Sequence, residues 1–559
     1  MAMSEPDEYR ERMLNRLRQE RFDLVVIGGG ITGAGVFRDA ALRGLRVALI
    51  EREDFASGTS SRSSKLVHGG LRYLELFNFG LVFESTHERA RLMKLSRNLV
   101  RPLPFILPVF RSSRHGLAKI TAGMWLYDLL ASFRNYRMHR LLGRKSLLAC
   151  EPALRSEGLK GGVLYYDAMT DDARLTLETV LDGIQAGGVA GSRIEATGIR
   201  VREGRLQAVE AMDRVGGRPI EIPTGCLICA AGPWTEQVLG RLDAAETGPR
   251  LRPTKGVHIV LPRELLPLSH AIVMSSPVDA RVMFAIPWRG AIVIGTTDTD
   301  HTGPVADPVA DRSDVEYLLA SVHHYFPEVR AGVEDVIGTW AGLRPLIAPA
   351  SNPGAGGGVA PSQVSREHQI TVDPRGIVTV AGGKLTTYRL MAAETLEHAL
   401  RFLPDAARVK TPTARRPLPY SAGLQRDQHL TDLIAEVSSR FALPRACAEH
   451  LGFAYGASAL KLLEDYRQED PDLLQPILPG FPFLRFEAMH AARSEFAWTL
   501  EDFLCRRTPL LLLNAARAAD IAQDVAELMG RALGWDPARR EQEVRTVREL
   551  ASAHLAFKG

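Results

Sequence analysis

Cysteine is scarce: five in 559 residues, at Cys150, Cys226, Cys229, Cys447 and Cys505. So odd and sparse a set argues against a disulfide framework and fits a reducing compartment. Cys226 and Cys229 form a C-x-x-C, but no second pair accompanies it. It also lies in the apolar run CLICAAG, so zinc is not expected and no metal site is assigned. Net charge is equally thin. Sixty-nine basic and 65 acidic residues leave +4, too little to imply nucleic acid, and no nucleic-acid-binding motif is present. No stretch approaches the roughly 18 apolar residues that span a bilayer, and the polar first twenty residues contain no secretory core. A spanning helix is thereby excluded; attachment to a membrane surface is not. There are no internal repeats. What remains is the composition of a globular protein, long enough for about three domains.

Hydrophobic periodicity orders the chain. Residues 4–21 predict a short amphipathic helix, with Tyr9, Met13, Leu14 and Leu17 on one side, packed on the domain surface. Phe22–Ile27 reads as an apolar strand, followed by a Gly-rich turn and a helix from about Thr32 to Arg43. Gly44 ends that helix, and Leu45–Ile50 forms the next strand. Residues 54–70, rich in Ser, Thr and Gly, read as an irregular loop, and 80–98 as helical. Two strand-like runs and a Gly216-Gly217 turn within 194–223 predict an antiparallel meander. CLICAAG reads as a buried strand, 256–297 as alternating strands and turns, and NPGAGGGVA (352–360) as a flexible loop. From about 420 the chain turns helical and Arg-rich, the mark of a separate C-terminal domain.

The first β-α-β unit carries Gly28-Gly-Gly30-Ile-Thr-Gly33, a G-x-G-x-x-G in its required context of strand before and helix after. Gly28 permits the tight turn, Gly30 the approach of a pyrophosphate, and Gly33 close packing of helix on strand. The helix N-terminus offers free N–H groups to phosphates. Glu51, 18 residues after Gly33, closes the second strand, where a carboxylate accepts both ribose hydroxyls and repels a 2′-phosphate. The motif does not separate FAD from NAD. The loop FASGTSSRSSKLVHGGLRY does, because its hydroxyls and backbone N–H groups suit an extended FAD rather than a continuing nucleotide-binding sheet.

At this point the sequence resembles a known family, the FAD-dependent, respiratory, quinone-reducing glycerol-3-phosphate dehydrogenases. The matching pieces run in order: DLVVIGGGITGAG (23–35), TSSRSSKLVHGGLRYLE (59–75), DDARL (171–175), AAGPW (230–234), KGVHIV (255–260), GTTDTD (295–300), GLRPL (342–346), SREHQI (365–370) and GGKLTTYR (382–389). TLEDFLCRRT (499–508) resembles the family's helical cap. The resemblance implies an α/β fold: a Rossmann-type FAD-binding domain interleaved with an α+β substrate domain, plus an α-helical C-terminal domain. The expected division is an oxidoreductase region at 22–410 and a cap at 411–559. Within the former, FAD-binding segments fall at about 22–100, 160–250 and 340–410, and substrate- or membrane-facing segments at about 101–159 and 251–339. Beyond the glycines and Glu51, the matched motifs imply cofactor contacts at Thr32, Thr59, Ser60, Ser61, Ser64, Lys65, Leu66, His68, Gly232, Gly383, Leu385 and Thr386.

The implied substrate is glycerol 3-phosphate. A phosphate dianion calls for fixed cations, preferably forked guanidinium groups. The resemblance assigns substrate contact to Arg72, Tyr73, Arg344 and Arg366, with Lys384 between substrate and flavin. The residues support this in part. Arg72 and Arg344 sit beside Gly or Pro in apolar surroundings, whereas Arg366 has polar neighbours and by itself reads as a surface residue. Oxidising a secondary alcohol sends a hydride to the flavin and the hydroxyl proton to a base. Arginine is too weak a base for this. Histidine is tuned for it, and His68 is the first candidate and His258 the second. The Gly382-Gly383 turn leads into a helix whose N-terminus would face the flavin pyrimidine edge.

Residues 111–150 hold eight basic residues, among them Arg111, Arg114, Lys119, Arg134, Arg137 and Arg140, with Asp128 the one acid before Glu151. Between them runs GLAKITAGMWLYDLLASF, apolar and aromatic but too short to span. This composition suits a segment resting on an anionic membrane surface, where a membrane quinone could reach the flavin. With the resemblance it implies a peripheral protein on the inner face of the cytoplasmic membrane. An oxidase passing electrons to O2, a flavin-binding scaffold and an amine oxidase stay as alternatives, and a homodimer is left open.

Overall fold

The structure, a computed structural model, describes residues 6–348, 367–403 and 409–559. Two large sheets organise it. Three short, wholly apolar runs, Leu24–Ile27, Val47–Ile50 and Leu227–Cys229, bury every side chain, as strands covered on both faces must. They lie at the centre of a six-stranded sheet ordered His368–Asp373, Ile377–Gly382, Leu227–Cys229, Leu24–Ile27, Val47–Ile50, Val189–Gly191. Neighbours are parallel except for the outer hairpin. Helices Ile31–Leu42, Asp172–Gln185 and Tyr388–Ala399 cover one face. The other face carries the meander Ile194–Arg202, Arg205–Asp213, Arg218–Pro223, which is antiparallel as its turns predict.

The N-terminal helix, Pro6–Gln19, packs on that same side through Met13, Leu14 and Leu17. Arg10 pairs with Asp213 and lies over Trp498, so the helix ties meander to cap. The C-x-x-C is divided by the sheet. Cys226 packs among the covering helices and Cys229 against the meander, and burial pushes both thiols up to about 12. Two cysteines on opposite faces cannot share a metal.

The second sheet has ten strands and mixed direction, with most neighbours antiparallel. Its longest members are Leu251–Pro262, Arg101–Phe110 and Leu159–Met169. Gly338–Ile347, which the sequence reading groups with the FAD-binding segments, pairs with Leu251–Pro262 from Leu251↔Ile347 to Val260↔Gly338. Local pattern marks a strand but not a partner some 90 residues away, so the interleaving shows only in three dimensions. NPGAGGGVA lies outside the described residues.

Beyond Asp427 the described chain is helical. Buried ion pairs join this cap to the nucleotide-binding sheet. Asp54, fully buried in the loop after Val47–Ile50, accepts from Arg506 Nε (2.6 Å) and from both terminal nitrogens of Arg507 (2.7 and 2.8 Å). Arg174 donates to Glu495 at 2.7 Å, again fully buried. Removing one partner from such a cluster strands the other charge in a dry site. Asp54→Asn, of nearly equal volume, is therefore expected to cost about 3 kcal/mol. The check is a fall in cap stability under thermal or denaturant unfolding; an unchanged transition would contradict the role of this joint.

Candidate active site

The nucleotide cradle is built at the end of Leu24–Ile27. Gly28 sits at φ +109°, a region glycine occupies without strain. A Cβ at Gly33 would overlap the Gly28 carbonyl oxygen, so only glycine lets the helix approach this closely. Helix Ile31–Leu42 starts with Gly30 and no side-chain cap, although Ser60 Oγ accepts from Ile31 N at 2.9 Å. Glu51 accepts from Gly29 N (2.6 Å) and Glu53 N (2.8 Å). Burial pushes its carboxyl up, and those two N–H groups oppose the shift.

A cleft of about 500 Å³ runs from Glu51 across the glycine turn to Gly383 and Lys384. Of the expected cofactor residues, Gly28, Gly30, Thr32, Glu51, Thr59, Ser60, Gly232, Gly383 and Leu385 line it, and Lys384 joins them. Gly33, Ser61, Ser64, Lys65, Leu66, His68 and Thr386 are not among its lining residues. Ser61 Oγ donates to Gly58 O at 3.4 Å, and Leu66 is buried in a two-residue strand. Ser64 Oγ lies 2.8 Å from His258 Nε2. Thr386 brackets His68 by accepting from its N–H and donating to its carbonyl, both at 3.2 Å. Lys65 also turns inward, pairing with Asp172 at 2.6 Å and lying over the rings of Trp288 and Trp340 at 5.6 and 5.4 Å. This Asp172–Lys65–tryptophan cluster is what sequence reasoning missed. Its signal was the double aspartate of DDARL, where Asp171 caps a helix through Arg174 N and leaves Asp172 to meet the lysine.

The cationic residues divide into two groups. Lys384 Nζ sits 3.7 Å from the ring centre of the buried Tyr73. Arg344 is half-buried on Gly338–Ile347, and donates to Asp298 Oδ1, Thr296 Oγ1 and Thr297 O, each at 3.1 Å. Nearby, His258 stacks on Trp340 with ring centres 4.9 Å apart. Burial first, then the charges of Arg344 and Lys65, hold its pKa well below the ordinary value. Arg72 opens the short helix Arg72–Glu75, while Arg366 lies outside the described residues. The predicted helix at Gly383 begins as a single turn, Leu385–Thr387, before Tyr388–Ala399.

Residues 23–418 match the family model described as FAD dependent oxidoreductase, and 412–540 match the C-terminal domain of alpha-glycerophosphate oxidase. Glycerol-3-phosphate dehydrogenase 2 of Mycobacterium tuberculosis is 38% identical over 533 residues, 95% of this chain and 88% of that protein. Aerobic glycerol-3-phosphate dehydrogenase of Staphylococcus aureus is 34% identical over 549 residues, 97% and 96% of the two chains. This chain belongs to the FAD-dependent glycerol-3-phosphate dehydrogenase family. A glycerol-3-phosphate dehydrogenase from Bacillus halodurans, solved with FAD, superposes with a TM-score of 0.79 at 28% identity, covering 99% of each chain.

An FAD-dependent member of this family needs a dinucleotide site, and the residues present fit one. The glycine turn leaves room where a Cβ would close it, and the Glu51 carboxylate lines the cleft at the end of the second strand. At the other end His258 is held neutral, with a pH consequence. Its folded pKa lies below the unfolded value, so the unfolded chain binds the extra proton and stability falls as pH drops below about 6.5. His258→Gln is expected to remove up to about 1.4 kcal/mol per pH unit from that slope. Comparing the melting of the two proteins between about pH 6.5 and 5 tests this; parallel slopes would refute it.

Proposed function

We propose that this chain oxidises sn-glycerol 3-phosphate to dihydroxyacetone phosphate and passes the electrons to a membrane quinone. The observation that carries the reading is the gathering of Lys384 and Tyr73 at one end of a dinucleotide cleft, with Arg344 on the adjoining strand after Leu343 accepts from Thr59 at 2.6 Å. When bound, FAD supplies the acceptor for the hydride on carbon 2. The protein's own groups do the rest. Arg344, its orientation fixed by Asp298 and Thr296, presents a guanidinium to the phosphate dianion. Arg72, Tyr73 and Arg366 complete the substrate set and Lys384 bridges to the cofactor. His68, latched by Thr386, takes the hydroxyl proton, while His258 orients Ser64. We divide the chain into an oxidoreductase region, 22–410, and a cap, 411–559.

A broad exposed apolar surface supports the quinone as acceptor. Phe77 is 78% exposed, and Trp125, Leu129 and Phe133 between 55% and 58%. Around them Arg111, Arg114, Lys119, Arg134, Arg137 and Arg140 face solvent. Asp128 is instead buried against His139 and Asn135. A face with exposed aromatics, exposed cations and its acid withdrawn suits an anionic lipid surface. Among the described residues no helix is long and apolar enough to cross a membrane. The match of 412–540 to an oxidase domain favours O2 as the second reading.

Anaerobic addition of glycerol 3-phosphate should bleach the visible flavin band, and a quinone analogue should restore it. An unbleached yellow protein would overturn the substrate assignment, and rapid peroxide release in air would favour O2. His68→Gln should lower kcat by roughly 10²–10⁴ with little change in KM; a loss no greater than that of His258→Gln would remove His68 as the base. For the membrane face, the holoenzyme should float with phosphatidylglycerol vesicles, and Trp125→Ser with Phe133→Ser should leave it in the soluble fraction. Equal flotation of both proteins would refute the face.

A further inference from the structure

A second cavity, of about 570 Å³, lies where helix Phe79–Leu95 and the start of strand Arg101–Phe110 meet cap helices Asp427–Phe441 and Arg445–Tyr455. It shares no lining residue with the cofactor cleft. Its charges do not balance. Both acids on its wall are already engaged, Asp427 by Arg97 and Glu449 by Arg445. Arg101, Lys94 and Arg134 also line it, and none has an ion-pair partner among the described residues.

Arg101 is the most exacting of the three. Its Nε is buried with no acceptor among the described residues, and its guanidinium lies over the Phe453 ring at 3.3 Å. One of its terminal nitrogens donates to the Met169 sulfur at 3.8 Å. Burial, and then the charge of Arg289, pull its pKa down to about 9, against the weaker opposing charges of Glu449 and Asp171, neither of which is hydrogen-bonded to it among the described residues. The fully buried Arg174, Arg506 and Arg507 each meet a carboxylate; Arg101, half-buried, faces a cavity instead. A half-buried guanidinium whose Nε lacks an acceptor and which has no carboxylate paired to it is costly, and a counter-ion entering the cavity would offset that cost.

We propose that this cavity is a binding site for a phosphate-bearing anion, held by Arg101 with Lys94 and Arg134. A guanidinium fork suits two phosphate oxygens, and the two further cations suit a dianion better than a carboxylate. The wall also includes Phe453 and Ile434, which leaves apolar room for the ester's organic part. Two sources share this chemistry. Tyr136 lines the cavity and is itself 41% exposed beside Phe133, which places a lipid headgroup within reach; a soluble phosphate ester is the other source.

The test uses full-length holoenzyme and inorganic phosphate at constant ionic strength, reading the rise in melting temperature. Arg344→Gln reports on the substrate site and Arg101→Gln on the cavity. The expected result is a saturable rise in wild type and in Arg344→Gln, with half-saturation weakened by about tenfold or more in Arg101→Gln. Should Arg101→Gln fail to fold, the Lys94→Gln, Arg134→Gln double variant, which alters the same wall without touching the buried guanidinium, must show the weakening instead. An unchanged titration in the cavity variants, or loss of the whole effect in Arg344→Gln, overturns the proposal. Phosphatidylglycerol vesicles that abolish the phosphate-dependent rise where phosphatidylcholine vesicles do not assign the site to a lipid headgroup; a rise that survives both assigns it to a soluble ester.

Discussion

At Gly33 one extra carbon would coincide with the carbonyl oxygen of Gly28, and no rotamer relieves a clash made by Cβ itself. That contact sets how closely helix Ile31–Leu42 approaches strand Leu24–Ile27, and therefore where its N-terminus points. The rest of the cradle is referenced to it. Glu51 reaches Gly29 N, and Ser60 reaches Ile31 N, only because helix, turn and second strand share one compact frame. The dipole of that helix then opens into the cleft, where phosphate charge is favoured. A slightly larger residue at 33 would leave the sheet intact yet shift everything that reads the dinucleotide.

Charge in the interior extends the frame outward. Asp54 follows the same second strand and meets two cap arginines, while Arg174, in the helix that Asp172 begins, meets Glu495 of the cap. Such pairs add little net stability compared with apolar packing, because desolvation offsets attraction. What they provide is discrimination: any other seating of the cap leaves charges buried and alone. The cap is thus held in one orientation by the loops that shape the cofactor cleft. Lys65 obeys the same rule closer to the site. It belongs to the cofactor-loop motif, yet its ammonium is committed to Asp172 and two indole rings, so its role is to hold the loop from behind.

These cases mark the limit of what was legible in the sequence. The β-α-β unit, the meander and the buried strand Leu227–Cys229 were readable because each depends on residues a few positions apart. So were the glycines and Glu51, whose spacing is the geometry. The pairing of Gly338–Ile347 with Leu251–Pro262 was not, since nothing local in GLRPL distinguishes one sheet from another. Ser64 and Thr386 show the same limit at the site: a hydroxyl in the right motif is equally suited to a ligand, to His258 or to the His68 backbone. Their partners follow from tertiary packing. Arg101 carried no signal at all, because an arginine opening an apolar strand looks the same with or without a carboxylate opposite.

Helix Phe79–Leu95 connects these parts. Its N-terminal turns expose Phe79 and Phe83 on the apolar face, and Glu88 on it grips Arg389 at 2.8 and 2.7 Å. The helix also packs against the Leu385–Thr387 turn that follows Lys384, and Lys94 at its end lines the second cavity. One element therefore touches the exposed apolar surface, the Lys384 end of the cleft and the second cavity. If that surface rests on lipid, the helix cannot tilt without moving the turn beside Lys384, because the Glu88–Arg389 pair is buried and expensive to break. The apolar face would then fix the depth at which the cleft sits above the bilayer. The acceptor's access would then depend on where this helix holds the cleft.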